Sequence, residues 1–142
     1  MEQFYVRLNL RLDWSELDLL NHINNVAYFK YIQAARINYW EACGFDPYFN
    51  KSDIGPILLS TNCKFIRPLF YPGSITIESR IEFIKNTSYG IHHRILNDHN
   101  EIVAEAHDVI VNYNFKTNEK VAVSDDFRAK VECIESGKMT TE

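Results

Sequence analysis

Glycine and proline are scarce in this chain of 142 residues, and five glycines with four prolines leave little room for long structureless connections. Basic residues are not in excess either. Fifteen Lys and Arg against 19 Asp and Glu give a formal net charge of −4, so no overall basic field draws the chain to nucleic acid or anionic lipid. No apolar run reaches the length that a bilayer demands, and the opening MEQFYVRLNLRLDW alternates where a signal peptide would be continuously apolar. The three cysteines, Cys43, Cys63 and Cys133, are odd in number and widely spaced, which fits reduced thiols in a cytoplasmic protein and not a disulfide framework. No histidine, cysteine and carboxylate spacing suits a metal: His92 and His93 are adjacent on an expected strand and point to opposite faces. A nucleophile elbow, a glycine-rich phosphate loop and a dinucleotide fingerprint are all missing.

What the chain does contain is enough apolar material for a core, 46% of residues with 13% aromatic, at a length that suits one domain over residues 1–142. Phe4, Val6, Leu8, Leu10 and Leu12 alternate with polar residues, the period of a half-buried strand. From Val26 to Cys43 the period changes to that of a helix, which gathers Tyr28, Phe29, Ile32, Ala35, Tyr39 and Trp40 on one face. Asn24 or Asn25 is placed to cap it and Gly44 to end it. After Ile57, alternation returns in four successive segments joined by short turns, and Ser124 opens a short terminal helix near residues 124–136. A helix with so broad an apolar face needs a sheet to cover it. The expected class is therefore α+β, an antiparallel five-stranded sheet wrapped around a long central helix.

Between the first strand and the helix, WSELDLLNHINNVAYFKYIQAAR crowds two carboxylates, a histidine and three asparagines together. This stretch resembles the entry motif of the 4-hydroxybenzoyl-CoA thioesterase family of hotdog-fold proteins, with Glu16, Asp18, His22, Ile23, Asn24, Asn25 and Tyr28 in the motif's frame and the Ala35-Arg36 pair recurring inside the helix. Asn21 replaces the family's glycine, and Glu16 its commoner aspartate. The resemblance extends over roughly residues 4 to 115 and implies a hotdog fold and acyl-CoA thioesterase activity, with coenzyme A as part of the substrate and no separate cofactor. It also implies homodimers, or homotetramers built from them, with active sites at the interface.

Hydrolysis of a thioester needs activation of water, or a direct nucleophile, and a donor for the oxyanion. The resemblance gives the first role to Asp18 and the second to the backbone amide of Asn25, at a helix start where the first N–H groups lack intrahelical partners. His22 either orients substrate or water, or holds the loop in shape. Asn24 is read as cap or substrate ligand, and Tyr28 as pocket wall or core. Glu16 is read as a solvated neighbour of Asp18, and Tyr28, Tyr31, Phe65 and Tyr89 as surroundings of an acyl pocket. Lys85 is chosen from several basic residues to grip the phosphates of coenzyme A, since the family often uses that turn. Arg36, at the margin of the apolar face, calls for an internal partner, with Glu105 and His107 the groups in view. Two other functions fit the same residues: an acyl-CoA-binding hotdog protein without turnover, and an acyl-carrier-protein thioesterase.

Overall fold

The computed structural model describes residues 3–45 and 52–137. Its elements are β1 (Val6–Arg11), a 3₁₀ turn (Trp14–Glu16), α1 (Asn25–Ala42), β2 (Ile54–Phe65), β3 (Ser74–Ile84), β4 (Ser88–Leu96), β5 (Ile102–Asn114), β6 (Glu119–Lys120) and α2 (Asp125–Glu135). The antiparallel sheet runs β1-β3-β4-β5-β2, so the chain leaves α1, crosses to the far edge and returns. The expected five strands are present, and two-residue β6 adds a sixth beside the end of β5.

The sheet covers α1 as the sequence requires. Ala27, Tyr28, Tyr31, Ile32 and Ala35 pack with Ile75, Ile77, Ile95, Ala104 and Ala106 at one end of the helix. Tyr39, Trp40 and Cys43 join Ile91, Ile110, Val131 and Ile134 at the other, where α2 closes the core. Glu135 ties α2 down by accepting hydrogen bonds from the Tyr39 hydroxyl and, at 3.0 Å, from the Ile81 N–H. That amide lies beyond the last β1–β3 pair, so among the described residues no strand bonds it on that edge.

Arg36 does find an internal partner, but a different one. Its Nε donates to Asp108 Oδ2 at 2.9 Å, and Asp108 also accepts from the Thr61 hydroxyl at 2.7 Å and bonds His93 Nε2 at 2.8 Å. Ser79 completes the chain at His93 Nδ1, 2.7 Å away. Asp108 shares the inward face of β5 with Ala106 and Ile110, whereas Glu105 and His107 lie on the outward face. There, Lys64, Glu105, Arg94, Glu78 and Arg7 stand in register across all five main strands with alternating sign. His92 and His93 do point to opposite faces. His93 joins the internal network, while His92 stacks on His107 with centroids 4.5 Å apart.

Candidate active site

The polar stretch before α1 folds as a tight loop hung on the helix start. Asp13 caps the 3₁₀ turn, Leu17 pairs with Ile23, and His22 pairs with Phe70. The loop tip is closed by Asp18, whose Oδ1 accepts from the N–H groups of Leu20 at 2.8 Å and His22 at 3.0 Å. Asn21 takes a left-handed φ of 63° there, the conformation for which the related motif uses glycine. Hydrogen bonds from His22 and Leu20 hold the Asp18 carboxyl below the usual aspartate range, so it is ionised at neutral pH. Among the described residues nothing donates to its other oxygen, Oδ2, which is left for water or substrate.

Asn24, not Asn25, caps the helix. Its side-chain oxygen accepts from the Ala27 N–H at 2.9 Å while its amide nitrogen donates to the Glu16 carbonyl at 2.7 Å. The next residue, Asn25, then begins the helix exposed, and no described residue accepts from its N–H. That donor sits at the positive end of an 18-residue helix.

A cleft of about 340 Å³ brings these groups together, lined by Asp18, His22, Ile23, Asn25, Tyr28, Phe65, Ile66, Arg67 and Pro68. Tyr28 is buried and meets Phe65 edge-on at 5.0 Å; burial pushes its phenol pKa up, so it stays protonated. The His22 ring packs edge-on against Phe70 at 5.0 Å. Of the expected site residues, Asp18, His22, Asn25 and Tyr28 therefore share one cleft, with Asn24 acting behind them as the cap.

One sequence expectation needs correction, that for Glu16, and three other expected residues, Tyr31, Tyr89 and Lys85, lie away from this cleft of their own chain. Glu16 is not solvated: it is buried, accepting from Lys30 at 2.8 Å and from the Tyr31 hydroxyl at 2.5 Å. Burial works to raise its pKa, but the hydrogen bonds from Lys30, Tyr31 and the Asp13 amide outweigh it and hold the carboxyl below its usual range. Of the four supposed pocket residues only Tyr28 and Phe65 line the cleft; Tyr31 is engaged by Glu16, and Tyr89 sits at the other end of α1 under the Trp40 indole. Lys85 lies in the β3–β4 turn, where its ammonium rests over Phe83 at 5.2 Å. The adjoining Ser88 pairs with Val111, whereas cleft residue Phe65 pairs with Ala104, so the two places are separated by roughly 20 Å along β5. The basic residue this chain does bring to the cleft is Arg67. Its place just before Pro68, at the end of a strand, is the only signal of it in the sequence.

The thioesterase-like superfamily profile matches residues 12–131, from the end of the first strand into α2. The chain belongs to the thioesterase-like superfamily. Within it, the long-chain acyl-CoA thioesterase FadM of Escherichia coli (strain K12) is 25% identical over 118 residues, 82% of this chain and 89% of FadM. Among solved structures, a DHNA-CoA thioesterase from Staphylococcus aureus superposes with a TM-score of 0.85 at 16% identity over 99% of both chains. A thioesterase from Thermus thermophilus, solved in complex with coenzyme A and Zn, gives 0.83 at 20% identity, over 96% of this chain and 98% of that one. At such identities the likeness is one of fold. The expected hotdog architecture and the expected class of thioester hydrolase both agree with membership of this superfamily.

Proposed function

We propose that the chain hydrolyses acyl-CoA thioesters at the Asp18 cleft, releasing coenzyme A and a carboxylic acid. The observation that carries this reading is the meeting of an ionised carboxylate and an unbonded helix-start amide, Asp18 and Asn25, in one cleft. The thioester carbonyl oxygen lies at the Asn25 N–H, where the helix dipole stabilises the negative charge that develops during attack. Asp18 Oδ2 either takes a proton from the attacking water or attacks the carbonyl itself. In both cases the C–S bond breaks, the thiol of coenzyme A leaves with one proton, and water supplies the new carboxyl oxygen. A carboxylate with a lowered pKa is a weak base but is charged at neutral pH, so it serves as nucleophile or water-orienting group without a preceding proton loss.

Assembly belongs to the same proposal. β2 is a twelve-residue strand at the edge of the sheet among the described residues, with exposed Leu58, Leu59 and Phe65, the surface a second copy covers by antiparallel pairing. Such a two-fold pairing sets the Ile54 end of one β2 beside the Phe65 end of its mate. Lys85 occupies the Ile54 end of the sheet, so it reaches coenzyme A bound at the partner's cleft, not its own. Coenzyme A enters only as part of the substrate.

The test is thiol release from a panel of aryl- and aliphatic-CoA thioesters by the wild type and Asp18→Asn at matched folding. Turnover that falls by at least about 100-fold in the variant supports the proposal. Acyl-CoA binding without turnover points to a binding protein, and turnover of acyl-carrier-protein thioesters alone points to a carrier-protein substrate.

A further inference from the structure

The buried carboxylate of Glu16 takes no part in the chemistry above, yet it is the most heavily bonded group near the cleft. One oxygen, Oε1, accepts from the Asp13 N–H at 3.2 Å and the Tyr31 hydroxyl at 2.5 Å, and the other accepts from the Lys30 ammonium at 2.8 Å. Its backbone carbonyl accepts twice more, from the N–H of Asn24 at 2.8 Å and the side-chain amide of Asn24 at 2.7 Å. Asp13 belongs to the 3₁₀ turn, Lys30 and Tyr31 to the second turn of α1, and Asn24 to the helix cap. A single residue therefore fastens the Asp18 loop, on one side, to the helix whose first amide is the oxyanion donor, on the other.

Few other contacts do this work. Among the described residues Asp18 bonds only within its own loop, through Leu20, Asn21 and His22, so these bonds shape the loop tip but do not locate it against α1. Loop and helix are tied by the Glu16 carboxylate and carbonyl, with the Leu17–Ile23 pair between. A small displacement of a reacting group is enough to cost a large factor in rate while leaving substrate affinity nearly intact.

We propose that Glu16 is a positioning residue for thioester hydrolysis, its carboxylate setting the Asp18 loop against the Asn25 amide through Tyr31 and Lys30. The inference rests on the thioesterase reading, and one experiment separates the two. kcat and KM are measured for wild type, Glu16→Gln, Tyr31→Phe and the double variant, with Asp18→Asn as reference and melting temperatures alongside. Glu16→Gln is expected to lower kcat about tenfold or more with KM within about twofold, well below its melting temperature. Tyr31→Phe is expected to lower kcat less, and to add nothing in the Glu16→Gln background, because both act through one carboxylate. A folded Glu16→Gln enzyme with wild-type kcat overturns the proposal even if it melts earlier, since stability alone is then its role. Should Glu16→Gln not fold, Tyr31→Phe decides: unchanged kcat overturns, reduced kcat at unchanged KM supports. A loss confined to Asp18→Asn overturns the role of Glu16 and leaves the thioesterase intact, whereas a wild type inert toward every thioester overturns both.

Discussion

One oxygen of Asp18 shapes the loop and the other accepts from no described residue, and under the proposed mechanism this division has a measurable signature. Because the carboxyl is held below the usual aspartate value of 3.8 by the amides of His22 and Leu20, its charged form persists into acid. The acid limb of the kcat/KM profile is therefore expected to fall below pH 3.8 wherever the fold survives, and Asp18→Asn should abolish it along with most of the rate. A second residue contributes to how far down in pH the fold survives. Burial works to raise the Asp108 pKa, but its bonds and attraction to His93 and Arg36 bring the net value below the ordinary range. A depressed folded pKa gives stability that is complete above the unfolded value and is lost as pH falls through the folded one. Stability should decline on acidification below about pH 4, the unfolded aspartate range. Asp108→Asn should lower unfolding free energy at neutral pH by about 3 kcal/mol or more, since Arg36 is left buried without its counter-charge. Denaturant titrations at pH 7 and below check both statements.

At the scale of elements, α1 carries the site because its start is capped by a side chain that also bonds the loop. Asn24→Ala should cost about 1 kcal/mol through the cap, and more through the lost bond to the Glu16 carbonyl, as denaturant unfolding would read. This element is legible in the sequence: the change of period at Val26 and the polar residues before it locate the helix to within a residue at each end. So are the cleft residues Asp18, His22, Asn25 and Tyr28, since they lie close together along the chain and one motif holds them all. What the sequence does not reveal depends on contacts across long separations. Arg36 and Asp108 are brought together only by the register of β5, and reading that strand with its faces exchanged points to Glu105 and His107 instead. Glu16 looks like a surface acid in the sequence because its partners, Lys30 and Tyr31, lie a loop and a helical turn away.

At the scale of the whole molecule, the position of β2 at the edge of the described sheet governs what the proposed assembly can do. Replacing Leu59 with proline should block pairing at that edge and give a smaller particle in size-exclusion chromatography with light scattering, with loss of activity at low protein concentration. If Lys85 serves the partner's cleft, mixed dimers of an Asp18→Asn chain with a Lys85→Ala chain should regain efficient turnover at one site of the two, the one with intact Asp18 and the partner's intact Lys85. Neither parent homodimer has such a site. Arg67 gives the contrasting result: it lies in the cleft of its own chain, so Arg67→Ala should raise KM in both arrangements of the mixed dimer that keep the altered cleft as the working one.

The gathering of Asp18, His22, Asn25 and Tyr28 within eleven consecutive residues separates the proposed reacting groups from the facing wall of the cleft along the chain. The opposite wall of the cleft, Phe65 to Pro68, comes from a different part of the sequence and belongs to the end of an edge strand. Substitutions there can reshape what the cleft admits while the reacting groups keep their own local supports. The fold thus presents a modular cleft, in which the turn that holds the proposed reacting groups can be paired with different walls by changing a short run of neighbouring residues.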